Sequence, residues 1–99
     1  MATKAKAQLE KLRGEPFSFA SILRAYRARE ELTQEQLAKK LKVTKSYISN
    51  VENKRENITV EQAKKFATVL KEPVNVWVTT ALQDMIDRAG IKARVKLAA

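Results

Sequence analysis

The chain has 99 residues, 44% of them hydrophobic, enough for one domain around a single core. It contains neither cysteine nor histidine, which excludes disulfides and thiolate metal sites and removes the usual general base and the commonest nitrogen ligand. The net charge is +9, and where that charge sits bears on function more than its total.

The N-terminus, Met-Ala-Thr-Lys-Ala-Lys-Ala-Gln-Leu-Glu-Lys-Leu, lacks the apolar stretch of a signal peptide. Residues 1–16 read either as a frayed helix, with Ala5, Leu9 and Leu12 on one side and Gly14 and Pro16 closing it, or as an N-terminal arm. Ser18 caps a first helix over 19–30, with Phe17 and Ile22 as a hydrophobic staple. Thr33 and Gln36 form a capping box for a helix over 34–41, stapled by Leu32 and Leu37. Thr44 caps a third over 45–53, with Val43 and Ile48 as its staple, and Thr59 with Gln62 repeats the box for a fourth over 60–71. Each cap contributes roughly 1 kcal/mol, and four of them in step with apolar periodicity leave little room for strands. A fifth helix starts around Pro73–Asn75 and runs to about Ala89, ended by Gly90. The expected fold is an all-α five-helix bundle with a short C-terminal β-strand or extended tail. The longest uncharged run, Pro73 to Gln83, is too short to span a bilayer, so a cytoplasmic protein without membrane contact is the default.

The helix faces nominate the core. Ile22, Leu23 and Tyr26 come from the first helix, and Val60, Ala63, Phe66, Ala67 and Leu70 from the fourth. Trp77 covers the open end of the bundle, as a core aromatic rather than a ligand platform. The fifth helix carries a wider apolar stripe than one packing face needs: Val74, Trp77, Val78, Ala81, Leu82, Met85, Ile86 and Ala89. Beyond Gly90, Ile91-Lys-Ala-Arg-Val-Lys-Leu97 alternates apolar and basic residues, the period of a half-buried strand. A lone strand needs a partner, either the same segment of a second subunit or another protein; otherwise the segment is a disordered basic tail. For a homodimer the candidate contacts are Val78, Leu82, Met85, Ile86, Ile91 and Val95.

The most telling stretch is Thr33 to Glu52. Leu37 and Leu41 lie one turn apart on one short helix, Ile48 and Val51 share a face of the next, Val43 plugs the connection, and Ala38 allows close approach. That is the architecture of a helix-turn-helix, which presents its second helix to the major groove. Residues 33–58 hold six basic side chains against three acidic ones, residues 59–90 hold four of each, and residues 91–99 add Lys92, Arg94 and Lys96 with no acid. Positive charge thus gathers on the reading unit and on the tail, as a polyanion would require.

Leu-Thr-Gln-Glu-Gln-Leu-Ala (32–38) followed by Ser-Tyr-Ile-Ser-Asn-Val-Glu (46–52) resembles the Cro/repressor-type, or Xre, helix-turn-helix domain over about Phe17 to Leu70. The resemblance implies a transcription regulator that binds double-stranded DNA as a dimer. It divides the chain into an arm over 1–16, a DNA-binding domain over 17–72, a C-terminal helix over 73–90 for core closure and dimerisation, and a basic tail over 91–99. Gln34 would donate to a phosphate and brace the recognition helix. Lys45 suits guanine, Asn50 matches adenine, and Ser46 and Ser49 flank them on the exposed face. Tyr47 would meet a thymine methyl or a phosphate, or else pack as a partly buried aromatic. Lys54, Arg55 and Asn57 are backbone-contact candidates. Arg27 and Glu52 occupy positions that pair in this family as a buried salt bridge. Two departures stand out: Lys42, a further phosphate contact, replaces the glycine that usually ends the second helix, and Glu56 replaces a loop proline. Ala81-Leu-Gln-Asp, Arg88-Ala-Gly and the alternating tail are similar to an antitoxin subgroup, which would add a toxin protein as partner.

Three functions compete on these residues. The first is a dimeric repressor reading a palindromic operator; the second, an antitoxin that also represses its own operon. The third, a metal-dependent nuclease using Glu52, Glu56 and Glu61, fails: Glu52 is better explained by Arg27, Glu61 suits the positive end of a helix dipole, and no clustered ligands remain. No cofactor is expected.

Overall fold

Five helices follow one another in the computed structural model, which describes residues 18–96: α1 (Phe19–Arg29), α2 (Gln34–Leu41), α3 (Lys45–Glu52), α4 (Val60–Leu70) and α5 (Val74–Arg88). The arm expected over 1–16, the Phe17 half of the first staple and Leu97 lie outside the described residues. The helix starts are set by side-chain caps. Ser18 Oγ accepts the Ser21 N–H, Thr44 Oγ1 accepts the Tyr47 N–H, and both Thr33–Gln36 and Thr59–Gln62 close reciprocal capping boxes.

The helix ends share a second device. Glu31, Lys42, Lys54 and Lys71 adopt left-handed conformations with φ of 55–60°, and Gly90 does so at φ 75°. In each case the residue's N–H and that of its successor return to the last turn, as in Lys42 N to Lys39 O (3.2 Å) and Val43 N to Ala38 O (3.0 Å). This Schellman closure satisfies carbonyls that the helix would otherwise orphan.

Packing follows the chain. α2 lies against α3, α1 crosses both α3 and α5, and α4 packs mainly on α5. Leu37, Leu41, Ile48 and Val51 are buried between α2 and α3, with Ala38 at their contact and Val43 against them. Burying each such aliphatic side chain contributes about 1.5–3 kcal/mol, so this pair alone supplies much of the driving force. Trp77 is buried between Phe19 and Tyr26, edge-on to both rings at 5.4 and 6.2 Å, and seals the end of the bundle.

Two expectations change. Val60, assigned to the core, is only partly buried at the first position of α4, and Ile58, two residues earlier in the loop, is buried in its stead. Phe19 joins the core from the first position of α1. Residues 91–96 are coil in the single chain, the tail of the expected strand or tail, and the amide side chain of Gln83 engages the Ala93 carbonyl and the Val95 N–H.

Candidate nucleic-acid interface

α3 is eight residues long, a rod of about 12 Å. Its inner side buries Ile48, Val51 and Glu52, which leaves Lys45 and Ser46 exposed and Ser49 and Asn50 half-exposed on the outer side. Lys45, Ser46 and Asn50 make no side-chain hydrogen bond among the described residues, so their donors and acceptors remain free for a ligand. Ser49 is partly engaged. Asn53, a residue the sequence did not single out, donates to the Ser49 carbonyl at 2.8 Å and approaches its hydroxyl at 3.4 Å.

Tyr47 takes the inward of its two expected roles. Its ring is edge-on to Phe66 at 6.3 Å, and its hydroxyl is buried without a hydrogen bond. Burial and the nearby Glu56 carboxylate push the phenol pKa up, opposed by the Gln62 amide. The side chain therefore packs beneath α3 against Phe66 of α4 and stays only partly buried.

A charge network anchors the rod. Arg27 on α1 donates to both carboxylate oxygens of Glu52, Nε to Oε2 at 2.9 Å and Nη2 to Oε1 at 3.0 Å, and its Nη1 donates to the Leu32 carbonyl at 3.2 Å. Gln34 Nε2 also donates to Glu52 Oε1 at 3.1 Å. Glu52 is 4% exposed, so three donors from two other helices hold an otherwise stranded charge at the end of α3. Gln34, expected at a phosphate, faces this carboxylate as a brace and is half-exposed.

The remaining expected contacts bracket α3. Lys42 is exposed in the turn before it, and Lys54, Arg55 and Asn57 are exposed in the loop after it. The loop is tied to α3 through the Asn50 carbonyl, which accepts the Arg55 N–H at 2.8 Å and the Glu56 N–H at 3.2 Å. Cations thus stand at both ends of a rod whose middle carries amide and hydroxyl groups. Such a surface has the charge for phosphates at its flanks and hydrogen-bonding groups of the kind that read base edges between them.

Of the six residues nominated for dimerisation, Leu82, Met85 and Ile91 are exposed, Ile86 and Val95 are half-buried, and Val78 packs partly buried against the core. Asp84 carries a role that sequence reading missed. Its Oδ2 accepts the Phe19 N–H at 2.9 Å, fastening the start of α1 to α5. The 65 residues between them leave no local signal.

Residues 23–77, more than half of the chain, match the helix-turn-helix family. A crystal structure of the hypothetical transcription factor NHTF from Neisseria is similar, with a TM-score of 0.56 and 27% identity over 68% of this chain and 77% of that one. The clp gene regulator ClgR from Corynebacterium glutamicum shares the fold, with a TM-score of 0.55 and 24% identity over 75% of this chain and 79% of that one. No curated protein sequence matches. No helix among the described residues is long and apolar enough to cross a membrane.

Proposed function

Because the chain belongs to the Cro/C1-type helix-turn-helix family and is a DNA-binding transcriptional regulator rather than an enzyme, we propose that it acts as a dimeric repressor that reads a palindromic operator through α3. The observation that carries this reading is the free outer face of α3, with Lys45, Ser46 and Asn50 unbonded and the rod braced from behind by Arg27, Gln34 and Glu52. Lys45 donates to guanine O6 or N7, Asn50 pairs with adenine through its donor and acceptor, and Ser46 contacts a base or phosphate. Lys42, Lys54, Arg55 and Asn57 set register on the backbone. Leu82 and Met85, with Val78, Ile86, Ile91 and Val95 around them, join two copies. Occupying a promoter in this way represses it.

The test is selection of bound sites from random duplexes with the native chain and with Asn50→Ala. A palindromic consensus that loses its adenine preference in the variant supports the reading. Equal binding of all duplexes by the native chain overturns it.

A second reading, an antitoxin that also represses its operon, draws on Val76 and Val69, which are exposed apolar residues. Val76 lies about 180° around α5 from Met85, outside the dimer face. Co-purification with the product of a neighbouring small reading frame would support it, and the absence of such a frame would remove it.

A further inference from the structure

The basic block after Gly90 is placed by the fold. Gly90 turns the chain at φ +75°, and the Ile91 N–H closes onto the Ile86 carbonyl at 3.2 Å. The Gln83 side chain, 8% exposed, then acts as a clamp: Nε2 donates to the Ala93 carbonyl at 2.8 Å and Oε1 accepts the Val95 N–H at 2.7 Å. A carbonyl and the N–H two residues further on face the same edge of an extended chain, so the amide stands where a neighbouring strand residue would. The same Nε2 donates to Asp87 Oδ1 at 2.8 Å, which engages the carboxylate beside the segment.

The clamp holds three cations in a row. In an extended segment alternate side chains share one face about 7 Å apart, which would put residues 92, 94 and 96 together at a spacing of the same order as that between neighbouring phosphates of one strand. Lys92, Arg94 and Lys96 are all exposed. They form a block of their own, because residues 59–90 carry four basic and four acidic side chains and so have no net charge. A surface that only keeps a protein in solution needs no buried glutamine to hold it in place.

Asp84, one turn before Arg88, ties α5 to the start of α1 through the Phe19 N–H.

We propose that residues 91–96 are a second DNA-backbone contact, in which Lys92, Arg94 and Lys96 reach phosphates flanking the stretch read by α3 and Gln83 is the positioning residue. The proposal rests on the reading of α3 as the recognition helix, whose test is the sequence preference of Asn50→Ala.

The experiment is a fluorescence-anisotropy titration over a sodium chloride series, using the duplex recovered by selection and a synthetic mixed-sequence duplex. Removing three phosphate contacts in Lys92→Ala/Arg94→Ala/Lys96→Ala should lower the slope of log K against log salt by about 3 per subunit. Affinity should fall by the same factor on both duplexes, so the specificity ratio stays constant. Lys92→Arg/Lys96→Arg should retain the full slope. Gln83→Ala and the isosteric Gln83→Glu, which no longer donates to Ala93, should lower the slope with the helical melt intact. An unchanged slope in the triple variant overturns the contact. A slope lost in the triple variant but retained in both Gln83 variants overturns the positioning role. Neither result touches the Asn50 test.

Discussion

Glu52 shows how much one side chain can decide. It is 4% exposed at the end of α3, and Arg27 and Gln34 supply its donors from other helices. Removing Arg27 strands the carboxylate, so we expect Arg27→Ala to lose about 3 kcal/mol, the lower end for such pairs because the arginine side chain is 26% exposed. At about 4–8 °C per kcal/mol for a domain of this size, the Tm in a thermal melt should fall by more than about 10 °C. The pair was legible only through family resemblance, since 25 residues of separation carry no periodic signal. Asp84 was not legible at all. Burial pushes its carboxyl above the ordinary value of about 3.9, against the Phe19 N–H and the charges of Arg88 and Lys54. A raised pKa means that the folded state holds the proton more tightly. This group's contribution is therefore full below about pH 3.9 and is lost as pH rises through the folded value. Asp84→Asn keeps an acceptor for Phe19 without the charge. Melts of both proteins between pH 3 and 7 should show the variant gaining on the native chain as pH rises, and a gain on acidification would reverse the assignment.

Helix starts and helix stops differ in how plainly they are written. Ser18, Thr33, Thr44 and Thr59 are oxygen-bearing caps before apolar periodicity, and each helix begins within a residue of where its cap predicts. Stops are signalled by glycine, and among the described residues only Gly90 provides one; the other four left-handed positions there are Glu31, Lys42, Lys54 and Lys71. Their helices end because neighbouring elements must turn, not because the local residue favours it. The same holds for the tail. Its period of two was visible, but nothing local announced that the Gln83 side chain would hold it. A left-handed non-glycine residue costs about 1–2 kcal/mol, and glycine returns about 0.4–1 kcal/mol of that through greater freedom when unfolded. Lys42→Gly should therefore stabilise by up to about 1 kcal/mol in urea unfolding, while weakening DNA binding slightly through the lost charge. Gly90→Ala meets no steric obstacle but inherits the same strain, and should destabilise by a similar amount.

At the scale of the molecule, the open question in the sequence was which part of the α5 stripe faces inward. Eight apolar residues lie along it, and periodicity alone cannot divide them; contact with α1 and α4 does, taking Trp77 and Ala81 fully and leaving Leu82 and Met85 outside. The body measures 34 × 32 × 27 Å, so in the proposed dimer two copies side by side would be large enough to place their recognition helices the 34–36 Å apart that successive turns of DNA require. Each half-site then binds with the help of the other, an advantage on the order of 10²–10⁴-fold. Leu82→Glu/Met85→Glu places like charges across the proposed contact without entering the core. Sedimentation velocity should show a monomer whose helical melt is close to that of the native protein. Affinity for a palindromic duplex should fall on the order of 10²-fold or more, while affinity for a single half-site stays unchanged. A variant that still sediments as a dimer would move the interface elsewhere on the surface. A monomeric native chain would mean that each copy reads its half-site alone, and the advantage of symmetry would disappear with it.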